Sequence, residues 1–476
     1  MPTETNDAPR YRLLADALEA QIDAGTYRPG ERVPSVRRLH QQHRVSVTTV
    51  LEALRVLEDR GRVRSRPRSG YFVERAASTR RSQPEPGSPT LRARRLGAPL
   101  SVTLNLGIGN PQHPTLGAAV QGPDLMPITA LNRLMSQALR LQPIESHSYD
   151  APPGSPAMRR AVARRAPEAG VDVTPDEVVV TSGAKEAVYL SLAAVTRPGD
   201  TVVIESPAYY ALLEVLASLD RRVIEVPNHP RDGLDLDALA RVLDRHDVAA
   251  VAMVSNFSNP IGSCMTDERK RALVELVHRH QVPLVEDDVY GDLAFDGSRP
   301  TALKAYDRDG LVLSCGSFSK SLSPGLRVGW ALPGRFQTEV EHLKLVINQA
   351  TATAPQLAVA AYVENGGLDR HLRRIRAAYG HQMGEMIAAV ERHLPDSTRH
   401  TTPAGGHVLW VQVPGLDAMA LHDAALAEGI HIAPGPMFSA SGGYRDHFRL
   451  NTGFPWTPDT DRQVATLGRL IDRQLD

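Results

Sequence analysis

From about residue 101 to the C-terminus, short β-rich apolar runs alternate with helical segments, and this alternation constrains the fold more than any other feature of the chain. Residues 178–180, 201–204, 223–226, 249–254, 284–285 and 311–313 read as strands, and 186–195 and 267–280, between them, as helices. Such an order predicts an α/β unit with a mainly parallel sheet covered by helices on both faces. Ligands of open α/β sheets sit outside the carboxyl ends of the strands. The chemistry is therefore expected just after the runs.

Four polar clusters lie there. The first run leads into Thr181-Ser182-Gly183-Ala184-Lys185-Glu186, where small residues at a helix start let backbone N–H groups approach a phosphate and the helix dipole favours the anion. An ordinary helix start reads the same way. The run ending near Val254 reaches Asn256-Phe257-Ser258-Asn259-Pro260, an amide beside a turn proline. Residues 284–285 continue into Glu286-Asp287-Asp288-Val289-Tyr290, which by itself also fits solvated acids at a sheet edge. Last, 311–313 is followed by Ser314-Cys315-Gly316-Ser317-Phe318-Ser319-Lys320 and then by Pro324-Gly325-Leu326-Arg327-Val328-Gly329-Trp330. Desolvation at the end of an apolar strand can push a lysine toward the neutral amine that attacks an aldehyde. Only five of the 54 basic residues are lysines (Lys185, Lys270, Lys304, Lys320 and Lys344), so candidates for amine chemistry are few.

The first hundred residues differ in kind, with 19 Arg, no Lys and 11 acids in a chain whose net charge is zero. A basic head on an acidic body predicts that the head meets a polyanion. Apolar residues at helical spacing over 11–24 predict one helix, stopped by Gly25 and the Pro29-Gly30 turn. Ser35 caps a second, holding Val36 and Leu39; Ser46 caps a third, with Val50, Leu51, Leu54 and Leu57 facing inward, until Gly61 ends it. Helices joined so closely form a helix-turn-helix whose third helix exposes Val47, Thr48 and Thr49. Residues 62–73, arginine-rich with Pro67 and Gly70 at a bend, predict a two-stranded wing with guanidiniums along phosphates.

Residues 76–100 hold four prolines and five arginines without apolar periodicity and predict a flexible, partly extended tether. The organisation expected is thus a head at 8–75, a linker at 76–100 and a body at 101–476, with a small C-terminal subdomain from about 365. No apolar run approaches the ~18 to 20 residues of a membrane span, and the first residues lack a basic segment followed by an apolar core. The two cysteines, Cys264 and Cys315, provide neither a disulfide framework nor a zinc site. A cytoplasmic protein without membrane attachment or bound metal is expected.

The run Pro29-Gly30-Glu31-Arg32-Val33-Pro34-Ser35-Val36-Arg37-Arg38-Leu39, then Val45-Ser46, Thr49-Val50 and Arg68-Ser69-Gly70-Tyr71-Phe72-Val73, resembles the winged helix-turn-helix domain of the GntR family. The resemblance implies contacts to double-stranded operator DNA from Ser35, Arg37, Ser46, Thr48, Thr49, Arg66, Arg68, Ser69 and Gly70. Val47 and Leu51 stand where many members carry arginine.

The four body clusters, in their order, resemble fold-type I pyridoxal-phosphate enzymes of the aspartate aminotransferase superfamily over roughly residues 105–470. That resemblance implies a covalent link from Lys320 to the cofactor aldehyde, Asp287 on the pyridine nitrogen, Asn259 and Tyr290 on the ring hydroxyl and Tyr209 stacked on the ring. It further implies a phosphate seat from the backbone of Gly183, Ala184 and Lys185 with Ser317, Ser319 and Arg327. Tyr149, in Tyr149-Asp150-Ala151-Pro152-Pro153-Gly154, would reach the phosphate of a neighbouring subunit, making a homodimer with shared sites; Arg449, in Phe448-Arg449-Leu450-Asn451, would grip an α-carboxylate. Lys185-Glu186 replace glutamines found in many relatives. Head, linker and body together resemble the MocR subfamily of bacterial regulators, which implies a transcription factor sensing pyridoxal phosphate or an amino-acid or amine effector. A working aminotransferase with an accessory DNA-binding head is the alternative.

Overall fold

A computed structural model describes residues 9–24, 26–27, 31–60, 62–66, 70–73, 81–97, 106–107 and 115–476, with only the backbone at Asp59 and Arg66. In the head, helices Arg10–Asp23, Val36–His43 and Val47–Asp59 precede an antiparallel pair, Val63–Arg66 with Gly70–Val73. Both predicted serine caps form: Ser35 Oγ accepts from the Arg38 amide at 3.3 Å and Ser46 Oγ from the Thr49 amide at 3.0 Å. Leu14, Leu18, Leu39, Val50, Leu54 and Leu57 close a core against the wing residues Val63 and Val73.

Leu51, expected inward, is 44% exposed. It follows Val47, 47% exposed, by four residues, so the two share the outer face of the third helix while Val50, Leu54 and Leu57 occupy the inner one. The turns expected at Gly25, Pro29-Gly30 and Gly61, and the wing bend with Pro67, Arg68 and Ser69, lie outside the described residues.

The body is built on a nine-stranded sheet. Arg222–His229, Thr201–Ser206, Ala250–Met253, Leu284–Asp287 and Val312–Ser317 lie side by side in parallel. Gly329–Leu332 runs antiparallel between Val312–Ser317 and Val179–Thr181. The strand residues are buried along nearly their whole length, as expected of a sheet covered on both faces. Two strands extend past their apolar runs: Ser314 and Cys315 pair with Glu286 and Asp287, and Gly316 and Ser317 with Trp330 and Gly329. Small or hydrogen-bonded polar residues there leave room for a cavity rather than a turn.

A four-stranded antiparallel sheet, Arg399–His400, Val408–Gln412, His447–Asn451 and Ala433–Pro434, forms near the C-terminus. The 27-residue helix Gly367–His393 connects the two layers. Leu368, Leu372, Ile375 and Tyr379 in its first half enter a core beside the large sheet; Met383, Met386, Ile387 and Val390 in its second half enter the core of the smaller one.

Residues 81–97, expected as tether, lie against the body instead: Arg94–Arg95 adds an antiparallel edge strand to Arg222–His229, and Pro84 is buried. Proline-rich composition signals lack of helix, and an extended segment of that kind can equally add to a sheet edge. Among the described residues, no helix is long and apolar enough to cross a membrane.

Candidate functional site

The parallel strands end at one edge of the sheet, and three of the four clusters line an open cleft of about 830 Å³ there, whereas Asn259, Tyr290 and Arg449 are not among its lining residues. Ala184, Lys185, Tyr209, Asp287, Ser317, Ser319, Lys320 and Arg327 all line it, between the apolar walls Val188, Leu212 and Val254.

At one end the helix Ala184–Val195 begins on Gly183, whose φ of +90° and close approach to Arg327 demand glycine; a Cβ there would lie 2.5 Å from the guanidinium. Arg327 donates to the Ser182 carbonyl at 2.7 Å and to Ser319 Oγ at 3.4 Å. Ser317 Oγ accepts from the Ser319 amide at 3.2 Å. An amide-bearing helix start, two hydroxyls and a guanidinium thus share one corner, a donor set suited to an anion. The Lys185 side chain is half-exposed and reaches Glu214 at 3.4 Å.

At the other end Lys320 Nζ donates to the Ala119 carbonyl at 2.6 Å. Burial, aided by the nearby Arg449 charge, pushes its pKa down to about 8. Asp287 moves the opposite way: burial, with the adjacent Asp288 charge, pushes it up to about 7. One Asp287 oxygen, Oδ1, is buried with no hydrogen-bond partner among the described residues. An orphaned acceptor facing a cavity fits a donor carried by a ligand, such as a protonated ring nitrogen.

Asn259 and Tyr290 are both buried, and the Asn259 amide donates to the Tyr290 hydroxyl at 3.4 Å. Arg449 is fully buried, stacks 5.1 Å from the Phe438 ring centroid and donates to Asn259 Oδ1 at 2.9 Å and to the Gly117 carbonyl. Tyr149 is 79% exposed and is not among the residues lining the cleft. In the head, Arg37, Ser46 and Thr48 are exposed and Ser35 is exposed beside them; Thr49 is partly covered, since its hydroxyl bonds Ser46 at 2.8 Å. Gly70 has a φ of +98° and abuts Arg32. Arg68, Ser69 and the Arg66 side chain lie outside the described residues.

Three features escaped the sequence reading. The Gly117 and Ala119 carbonyls, bound to Arg449 and Lys320, left no signal because every residue carries a carbonyl. His407 packs between Tyr290 and Tyr379; burial pushes its pKa down to about 3, so it is neutral. Asn451 donates its amide to the Thr115 and Val120 carbonyls, so its oxygen must accept, which fixes the His407 proton on Nδ1. Below Asp287, Arg299 holds Asp288 at 2.7 Å, and buried Lys270 reaches Asp288 through Asn256. Here a signal was present: Lys270 precedes Leu273, Val274 and Val277 by three, four and seven residues, on the inward stripe of its helix.

The aminotransferase class I and II family matches residues 102–465, and the bacterial regulatory proteins of the gntR family match residues 10–73. Over 98% of its length the chain is 35% identical to the whole of YjiR and 36% identical to the whole of YdcR, both uncharacterized HTH-type transcriptional regulators of Escherichia coli K12. It is 30% identical, over 75% of its length and 89% of the relative, to 2-aminoadipate transaminase of Thermus thermophilus. Among solved structures it resembles LysN, the alpha-aminoadipate aminotransferase of the same organism, complexed with N-(5'-phosphopyridoxyl)-L-leucine. There the TM-score is 0.72 at 28% identity, covering 79% of this chain and 98% of that one.

Proposed function

Since the chain belongs to the aminotransferase class I and II family and carries a gntR-family head, the combination found in MocR-type regulators, we propose that it is a DNA-binding regulator whose body senses pyridoxal phosphate together with an amino-acid or amine effector. The observation that carries this reading is the pairing, in one chain, of a helix-turn-helix head with a cleft lined by Lys320, the orphaned Asp287 and Arg327. Catalysis needs no DNA-binding head.

Pyridoxal phosphate supplies an aldehyde that captures amines and a ring that withdraws electrons. The residues of the cleft fit it. Lys320, with a pKa near 8, presents a substantial fraction of neutral amine at physiological pH. Asp287 would hold a proton on the ring nitrogen through Oδ1, and the cationic ring would in turn keep the carboxylate ionised. Tyr209 would cover one ring face, Asn259 and Tyr290 would bond the ring hydroxyl, and the phosphate would take the corner of Gly183, Ala184, Lys185, Ser317, Ser319 and Arg327. Arg449 would orient an effector carboxylate, its charge at present facing only neutral acceptors.

In the head, Ser35, Arg37, Ser46, Thr48, Thr49, Arg66, Arg68, Ser69 and Gly70 would face operator DNA. A homodimer in the cytoplasm, with Tyr149 reaching across to the partner's phosphate, completes the proposal; its support is the exposure of Tyr149 beside Ile144, 77% exposed. The proposed units are the head at 8–75, the connection at 76–100 and the body from 101. A second reading, a working aminotransferase, is favoured by the same complete set of Lys320, Asp287 and Arg449.

The experiment is an electrophoretic shift titration of parent and Lys320→Ala proteins, with and without cofactor and amino acids. The regulator reading expects effector-dependent DNA affinity in the parent alone. Indifference of the parent to every ligand, with amino-group turnover at about 1 per second or faster, would establish the enzyme.

A further inference from the structure

We infer that residues 81–97 are a strap, fastened to both sheets of the body, that ties the head to the smaller sheet and so carries the state of the cleft to it. This rests on the regulator reading above. The strap is anchored at both ends, its start through Arg81 and also through Gln83, which donates to Thr402 Oγ1 at 2.9 Å, and Glu85, which accepts from Arg399 at 3.0 Å. At its start Arg81, whose side chain is 9% exposed, donates to the Glu391 and Leu394 carbonyls at 2.8 and 3.0 Å, at the end of the helix Gly367–His393 that enters the smaller core. Helix C-termini leave such carbonyls unpaired, and a guanidinium satisfies two at once. At its end the strap belongs to the large sheet: Arg94 and Arg95 pair with Val223 and Arg222, and Leu91 packs on the core beneath.

Between the anchors Gly87 lies on the hydroxyl of Tyr444, so close that a Cβ would overlap it. Tyr444 precedes the strand His447–Asn451 of the smaller sheet, which carries Arg449. Its hydroxyl is 3.1 Å from Ser206 Oγ, at the end of the large-sheet strand leading to Tyr209. Strap, smaller sheet and the margin of the cleft therefore meet at one hydroxyl.

Lys320 and Asp287 come from the large sheet and Arg449 from the smaller. A ligand joining an amine at Lys320 to a carboxylate at Arg449 competes with the Ala119 and Gly117 carbonyls and with Asn259, the contacts that now set the seating of Arg449 and Lys320. A shift requires that such a ligand differ in affinity between two placements of the smaller sheet, and the strap proposal assigns it that difference. Among the described residues Arg81 is the first after the wing to touch the body, and wing residue Arg64 lies 3.2 Å from His381 of the helix Gly367–His393, so the head is held on the side of the smaller sheet. Without Arg81 and its neighbours Gln83 and Glu85 the strap keeps only its large-sheet anchor, and it no longer carries the placement of the smaller sheet to the head.

The test uses the full chain loaded with pyridoxal phosphate, and aminooxyacetate, which captures carbonyls through its oxyamine and presents a carboxylate. Trypsin cleavage after Arg92, Arg94 and Arg95 reports whether the strap is seated, because cleavage follows the population of the open form. In the parent, aminooxyacetate is expected to change both this rate and DNA affinity by about fivefold or more, the lower range of allosteric coupling. The triple variant Arg81→Ala, Gln83→Ala and Glu85→Ala should capture aminooxyacetate with the same spectral change yet lose the DNA response, and Gly87→Ala, which displaces the strap at Tyr444, should do the same. A DNA response retained in both variants overturns the strap. If the parent's DNA affinity ignores aminooxyacetate although its spectrum changes, the regulator reading fails, and an unchanged trypsin rate then overturns the strap as well.

Discussion

Arg449, on the smaller sheet, donates at 2.9 Å to the side-chain oxygen of Asn259, which follows a central strand of the large sheet. One buried guanidinium thus joins the two sheets beside the cleft, and its charge is met by an amide oxygen and a carbonyl instead of a carboxylate. The arginine is costly to bury and electrostatically incomplete, a state that an incoming anion relieves.

Arg449→Ala is expected to weaken the spectral response to amino acids about thirtyfold, the equivalent of roughly 2 kcal/mol for one charge-assisted contact. The cofactor band should persist, because Lys320 and Asp287 are untouched. Equal affinity in the variant would mean that the effector carries no carboxylate or binds elsewhere.

The parent protein mixed with pyridoxal phosphate should turn yellow, and borohydride should fix the cofactor on the peptide holding Lys320. Lys320→Ala should gain no such adduct. Peptide mass spectrometry decides; labelling at Lys185, the other lysine lining the cleft, would reassign the site.

Capture of the cofactor needs the neutral amine, so the rate should rise about tenfold per pH unit below about 8 and flatten above it, following the lowered pKa of Lys320. An unperturbed lysine would keep gaining up to about pH 10.4. Stopped-flow absorbance from pH 6 to 10 separates the two profiles. A rise continuing past pH 9 would show that burial does not hold Lys320 in its low-pKa state.

In the head, Arg37→Ala should lower the slope of log affinity against log salt by about 0.9, the value for one phosphate contact. The exposed Arg37 is separated from the core by the inward-facing Leu39 stripe, so its loss should not unfold the domain. Fluorescence anisotropy at several salt concentrations gives the slope; an unchanged slope removes Arg37 from the interface.

The order of elements was legible because buried parallel strands must be apolar and their connections helical, and both signals are local. Residues 201–204 and 284–285 fell inside true strands, while the polar ends Ser206 and Asp287 went unrecognised as strand, since pairing with neighbours overrides their weak β preference. In the site, Lys320, Asp287 and Arg327 stood out as polar residues following apolar runs, and they line one cleft; their proposed roles come from the family resemblance. What stayed hidden depends on tertiary approach alone: the carbonyls of Gly117 and Ala119, the tautomer of His407 and the docking of 81–97. Leu51 was misplaced for a simpler reason, an apolar residue one helical step from the buried stripe.

The helix Gly367–His393 enters both cores, so neither half of the body can melt while the other keeps its full packing. Heat or denaturant should therefore meet the two sheets as one cooperative unit, with the hydrogen-exchange protection of Leu372 and Met386 lost together. The same continuity makes the body poorly divisible: a chain cut near residue 365 would strip each fragment of a wall, which favours inheritance of the two sheets as a single piece.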